Sequence, residues 1–257
     1  MKIWNAFKVA FSMYSRIPVG KADWTEENMK YSMCFVPLVG LVIAAVLVLW
    51  HFLNIKLGFN DILNGGIRMM IPLCITGGIH MDGFCDVVDA LSSYRTKEKR
   101  LEILKDPHVG AFAVMWGCAY MILEAGLLAQ VQTTWGILLC GTGFVLSRAL
   151  ACFLAITLKS TNRDGTLYAF TSTQQKGTVS SVLMLYIILG TLTICIFNLT
   201  AGLLAAGFGF FLTVWFVRMA DRQFGGMTGD MAGFYIQIYE LMVFAVVVFG
   251  EYLAVSI

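Results

Sequence analysis

Charge is scarce in this chain. Asp, Glu, Lys and Arg make up 13% of its 257 residues, where a soluble domain carries about 25%. With 58% hydrophobic residues and a mean hydropathy of +0.77, that scarcity excludes an ordinary soluble globule and points to an integral membrane protein. No C-x-x-C pair occurs among the seven cysteines, and most lie in apolar runs, where they act as small hydrophobes rather than a disulfide framework. The sequence has no Walker loop, no GxGxxG fingerprint and no evident Ser-His-Asp or Cys-His arrangement. The stretch 1–20 lacks the unbroken apolar core and cleavage site of a signal peptide. Without internal repeats, low-complexity segments or linkers, a single integral-membrane domain over 1–257 is expected.

What is present is a series of apolar runs. Residues 4–17 alternate at helical spacing, with Lys8 and Arg16 on a polar side and Trp4, Phe7 and Phe11 opposite, which predicts a helix lying in the membrane interface. Seven spans are then expected near 32–54, 62–81, 109–131, 135–158, 179–199, 201–217 and 236–255, making an all-α polytopic bundle. Alternate loops (1–31, 82–108, 159–178 and 218–235) hold fifteen of the eighteen Lys and Arg residues. The positive-inside rule puts those loops in the cytoplasm and the C-terminus outside.

One stretch resists explanation by apolar packing. Residues 76–110 hold six of the sixteen acidic residues and five of the eighteen basic ones. Asp82, Asp86 and Asp89 fall at i, i+4 and i+7, within roughly 60° of arc on one helical face. Like charges at that spacing repel, and acids beside a membrane span are costly without a use. A hard cation resolves the conflict. Oxygen-only donors with no compatible Cys or His favour Mg²⁺, ahead of Mn²⁺ or Ca²⁺. Gly77, Gly78 and Gly83 clear space around Asp82 for another backbone or a phosphate. The plain alternative is a solvated helix face, although Asp is a poor helix former and none of the three has a base at i+4.

Two further patches share the expected cytoplasmic side. In 218–240, glycines surround Thr228 and Asp230, with Glu240 ten residues beyond Asp230; such a loop suits either a phosphate or a tight inter-helix turn. Residues 162–170 supply Arg163. Within the spans, Arg148 must pair with an acid or reach an anionic substrate, and Glu124 suits structural pairing. His80, just off the aspartate face, suits a hydrogen-bonding role. Acids that hold a metal beside bases that hold phosphate are what phosphoryl transfer needs. Ion transporters keep their carboxylates nearer mid-bilayer.

The stretches YSRIPV (14–19), FVPLVGLVI (35–43), TGGIHMDGFCDVVDAL (76–91), RLEILKDPHVGAF (100–112), SRALA (147–151) and FGGMTGDMAG (224–233) resemble the adenosylcobinamide-GDP ribazoletransferase (cobalamin synthase) family. The resemblance implies a multi-pass protein of the bacterial cytoplasmic (inner) membrane. It implies attack by the ribose 3′-hydroxyl of α-ribazole, or of its 5′-phosphate, on adenosylcobinamide-GDP, with release of GMP. On that pattern Asp82, Asp86 and Asp89 would ligate Mg²⁺, with Asp106 a fourth candidate, and Asp230 would hold a second metal or the attacking hydroxyl. Arg95, Arg100 and Lys105 would neutralise phosphates; His80, Arg148, Arg163, Thr228 and Glu240 complete the substrate-side candidates. The partners implied are the two substrates, the lipid bilayer and other enzymes of nucleotide-loop assembly, with no nucleic acid. Two departures stand out: Ala90 where the family usually has Gly, and Gln237 where it usually has Glu. A CDP-alcohol phosphatidyltransferase-like lipid enzyme is the alternative, but Cys85–Asp86 stand where its DGxxAR spacing needs Ala–Arg. A transporter or scaffold without catalysis is the third reading.

Overall fold

In the computed structural model, which describes residues 2–161 and 165–255, the regular elements are helices, and an isolated bridge joins Ser160 to Met227. The chain opens with α1 (Lys2–Tyr14) and the single turn α2 (Glu26–Met29), then enters α3 (Val36–Leu57). There follow α4 (Asp61–Thr76), α5 (Ile79–Ser92), α6 (Lys97–Ile103), α7 (Ala111–Gln130) and α8 (Thr134–Thr157). After the short α9 (Thr166–Ser172) come α10 (Lys176–Phe197) and α11 (Leu199–Met219). A π-turn (Ala220–Phe224) then leads to α12 (Gly229–Val255).

Side chains fix several of these boundaries. Asn60, Thr133 and Asn198 accept hydrogen bonds from Leu63 N (3.0 Å), Gly136 N (2.9 Å) and Ala201 N (2.9 Å), supplying first-turn amides with partners that lipid cannot offer. Asn198 alone separates α10 from α11. The central α8 packs against α3, α10 and α12 and buries Ile137, Cys140, Phe144 and Ala149 completely. By contrast, α10 and α11 expose Leu185, Ile188, Phe210 and Phe211, a surface suited to lipid rather than water.

Six helices are long and apolar enough to cross a bilayer, and the bent pair α4–α5 supplies a seventh. The protein is a multi-pass membrane protein. Within that pair the crossing belongs to α4, which starts beside the C-terminal end of α7, where Gln132 donates to Asp61. The expected span 62–81 breaks early because Gly77 (φ +68°) and Gly78 (φ +80°) are both left-handed, a pairing costly for residues with a Cβ. The chain turns by 96° there. Helix α5 therefore does not prolong the crossing; it runs across the first turns of α7 and α12.

The apolar side of α1 is divided: Ala6, Val9, Ala10 and Phe11 are buried against the turn before α3, while Trp4 is exposed and Phe7 half-buried. One other expectation needs correction. Helix α12 begins at Gly229 rather than near 236, because the Thr228 hydroxyl accepts from Met231 N (3.2 Å) and caps it.

All four basic loops meet at one end of the bundle. Gln175 N donates to Lys30 O (2.9 Å), Lys97 Nζ to Asp221 O (3.1 Å), Arg100 to the Gln223 side chain, and Met227 N to Lys159 O (2.8 Å). The opposite end is closed by Arg68, whose Nη1 donates to Leu128 O and Val131 O at the C-terminus of α7, 2.6 Å each. His51 Nδ1 lies 3.1 Å from its other terminal nitrogen.

Candidate active site

At the basic end, α5 crosses α12 so closely that a Cβ on Gly83 would stand 2.6 Å from Asp230 O. No side chain fits in that contact, which is why the crossing falls at a glycine. The approach places Asp230 with Asp82 and Asp86. Burial, then the charges of Asp82, Asp230 and Asp89, push the half-buried Asp86 carboxyl up to about 7. Among the described residues, no Lys or Arg forms an ion pair with Asp82, Asp86 or Asp230.

Asp89 has a second task. Its Oδ2 accepts from Gly110 N (2.6 Å) and its Oδ1 from Ala113 N (3.0 Å), so the carboxylate holds the first turn of α7. Asp106 is exposed and joined to His108 through both the ring (2.6 Å) and the backbone N–H (3.0 Å), which hold its carboxyl below the usual range. No recorded contact brings it to the other carboxylates. Among the described residues no three His, Cys, Asp or Glu side chains enclose an ion-sized space as they stand. The donor set nevertheless fits a hard cation: oxygen only, mutually repelling and uncompensated.

Three adjoining cavities border Asp82 and Asp230. One of about 270 Å³ lies over the start of α12 and is lined by Lys105, Ser160, Thr228 and Asp230. A second, of about 320 Å³, shares Asp230 with it and adds Tyr14, His80 and Asp82. A third, of about 720 Å³, shares Asp82 and adds Arg16, Gly77, Gly78 and Cys85. Together they form a groove with bases at both ends and acids between.

The remaining candidates divide. Lys105 and Thr228 line the groove. Arg100 is half-buried and held by Gln223, while Arg95 is exposed and, among the described residues, its side chain forms no ion pair. Arg148 and Glu240 are not brought to the groove; they pair with each other at 2.5 Å, both 1% exposed, and Ser147 donates to the same Glu240 oxygen (2.7 Å). That pairing is the first of the two options the sequence left for Arg148. Arg163 lies outside the described residues. Ala90 is fully buried on α5, and Gln237 sits buried on α12 one turn before Glu240, so neither departure from the family pattern lines the groove.

The sequence reading missed Tyr14 and Arg16. Arg16 N donates to Ile75 O (2.8 Å), and its side chain lies across Gly77, where a Cβ would stand 2.3 Å from Nε. The signal was available in YSRIPV, but its Arg16 is expected from periodicity on the polar side of an interfacial helix rather than at the site.

Fold and groove together define a membrane-embedded transferase, its acids gathered at one end of the bundle rather than along a path through it. The chain belongs to the cobalamin-5-phosphate synthase family, whose model matches residues 6–248. It is 39% identical to an adenosylcobinamide-GDP ribazoletransferase of Lachnoclostridium phytofermentans, covering 98% of this chain and 96% of that one. A Brevibacillus brevis protein of the same name is 32% identical over 95% and 98% of the two chains. A Clostridium perfringens relative, also so named, is 29% identical over 93% and 96%. No solved structure matches the chain.

Proposed function

We propose that this protein is an Mg²⁺-dependent adenosylcobinamide-GDP ribazoletransferase with its groove facing the cytoplasm. The observation that carries the reading is the convergence of Asp82, Asp86 and Asp230 at the α5–α12 crossing, uncompensated and flanked by Arg16 and Lys105. The 3′-oxygen of α-ribazole, or of its 5′-phosphate, bonds to the phosphorus nearest the cobinamide. The bridging pyrophosphate bond breaks, GMP leaves, and the hydroxyl proton passes to solvent.

Each part of the groove has a task in that step. Arg16 and Lys105 approach the pyrophosphate from two sides and offset charge that would otherwise meet the carboxylates. The start of α12 shares a cavity with Lys105, and the positive end of its helix dipole is a favourable place for a phosphate oxygen. Asp82, Asp86 and Asp230 would hold the cation. When bound, Mg²⁺ supplies charge neutralisation and lowers the pKa of a coordinated hydroxyl. Arg95, exposed in the turn between α5 and α6, is assigned the phosphate that the inner groups leave uncovered.

The test is GMP release by the purified protein in liposomes, given both substrates. Release that requires α-ribazole or its 5′-phosphate, and that stops on chelation and returns with Mg²⁺, is the expected result. Release from a CDP-alcohol instead would overturn the reading in favour of a lipid enzyme.

A further inference from the structure

The 320 Å³ cavity is unlike the rest of the groove. Its lining is largely apolar, including Met33, Val36, Ala151, Ala155 and Ile236, and its acids are Asp82 and Asp230. His80 also lines the space; it is 4% exposed, and among the described residues its buried Nε2 has no hydrogen-bond partner. A buried polar nitrogen without a partner costs about 1–3 kcal/mol, so a ligand atom that meets it is strongly favoured. The Tyr14 ring lies 6.3 Å from the His80 ring at 25°, giving the cavity one aromatic side.

Ligand sites usually span ~300–1,000 Å³, so this one is at the small end. It suits one small flat group, not a corrin macrocycle. Such a lining suits an occupant with a flat apolar part, a group that hydrogen-bonds His80 Nε2 and a polar part that meets Asp82 and Asp230. We propose that this cavity takes the base of the acceptor nucleoside, with His80 Nε2–H donating to the unsubstituted ring nitrogen of a fused bicyclic base. The ribose then emerges at the carboxylates, where its hydroxyl is needed. This inference rests on the ribazoletransferase reading and extends it: the walls select an apolar base, and His80 selects one with a bare nitrogen. His80 contacts substrate far from the phosphates.

The test uses the whole protein in liposomes and two acceptors: α-ribazole, and a ribosyl-indole analogue in which C–H replaces the bare nitrogen. His80→Phe is expected to raise the KM for α-ribazole about tenfold, the loss of one hydrogen bond, and to leave the KM for adenosylcobinamide-GDP unchanged. The wild type should lose a similar factor on the indole analogue, and the two losses should not add, because they remove the same bond. His80→Gln should recover part of the loss. Calorimetric binding of α-ribazole without the donor should show the same pattern independently of turnover. Ala155→Leu, which narrows the cavity, should weaken the acceptor alone.

An active wild type whose His80→Phe variant treats both acceptors as before overturns this proposal and leaves the parent reading intact. So does Ala155→Leu raising the KM of the donor, which would give the cavity to guanine. A wild type that neither binds α-ribazole nor releases GMP overturns both.

Discussion

Glu240 and Asp86 are both carboxylates set among apolar helices, yet only Glu240 is answered by a cation. Arg148 and Ser147 satisfy one of its oxygens inside the bundle. Asp86 is surrounded instead by Asp82, Asp89 and Asp230, and no base of the described chain pairs with it. The first carries its counter-charge within the fold, although Glu240 Oε2 has no partner among the described residues. The second is a surplus of like charge, and on the proposed reading a cation from outside completes it.

The contrast breaks if the two groups respond alike to substitution. Asp86→Asn should reduce GMP release by at least about a thousandfold, equivalent to ~4 kcal/mol of transition-state stabilisation, while the protein stays folded and inserted. Its metal-free stability should not fall. The Asp86 carboxyl is raised from about 3.8 to about 7, so the folded state holds a proton that the unfolded state releases. Stability from this group is therefore full below about pH 4, is lost as pH rises to about 7, and stays lost above. Asp86→Asn should remove that slope, which thermal unfolding in detergent at pH 5 and pH 8 without Mg²⁺ would show. Near-normal turnover by the variant in excess Mg²⁺ would end the metal role for this residue.

Arg148→Met should act in the opposite sense. It leaves Glu240 buried without its cation and is expected to cost about 3 kcal/mol or more, read as a lower unfolding temperature with early protease cleavage. The double variant Arg148→Met with Glu240→Met should regain most of that loss, since a well-packed apolar pair replaces a charge pair at little cost. A stable, inactive Arg148→Met would instead make Arg148 functional.

The smallest effect sharpens the comparison at the rim. Arg95→Lys should lower kcat/KM about tenfold, ~1.4 kcal/mol, because lysine cannot reproduce a two-pronged phosphate contact. Changing the anionic-lipid fraction should not alter that loss. If the variant is silent and activity follows lipid charge, Arg95 is a headgroup anchor.

Much of this arrangement could be read from the residues. The triad spacing marked α5, and the charge distribution put Asp82 and Asp230 at one end, where Lys97 does meet the Asp221 backbone and Arg100 meets Gln223. The pairing of Arg148 with Glu240 could not be read, because 92 residues separate them and periodicity carries no information across that distance. The use of Asp89 to hold α7 was hidden for the same reason. Tyr14 and Arg16 were missed for a related reason: periodicity gives the faces of α1 but not which later segments its end meets, here Ile75 and Gly77 some sixty residues on. The early start of α12 was legible in principle, since Thr228 followed by Gly229 and Asp230 has the form of a helix cap.

The α5–α12 crossing at Gly83 also says something about biogenesis. The first acids of the site leave the ribosome with residue 82, but their counterpart Asp230 follows nearly 150 residues later on the last crossing. During that interval the nascent chain presents an acidic turn with an unfilled seat beside it. A chain that stops before α12 has the α5 carboxylates without Asp230, so on the proposed reading the seat for the cation is incomplete until α12 has been made.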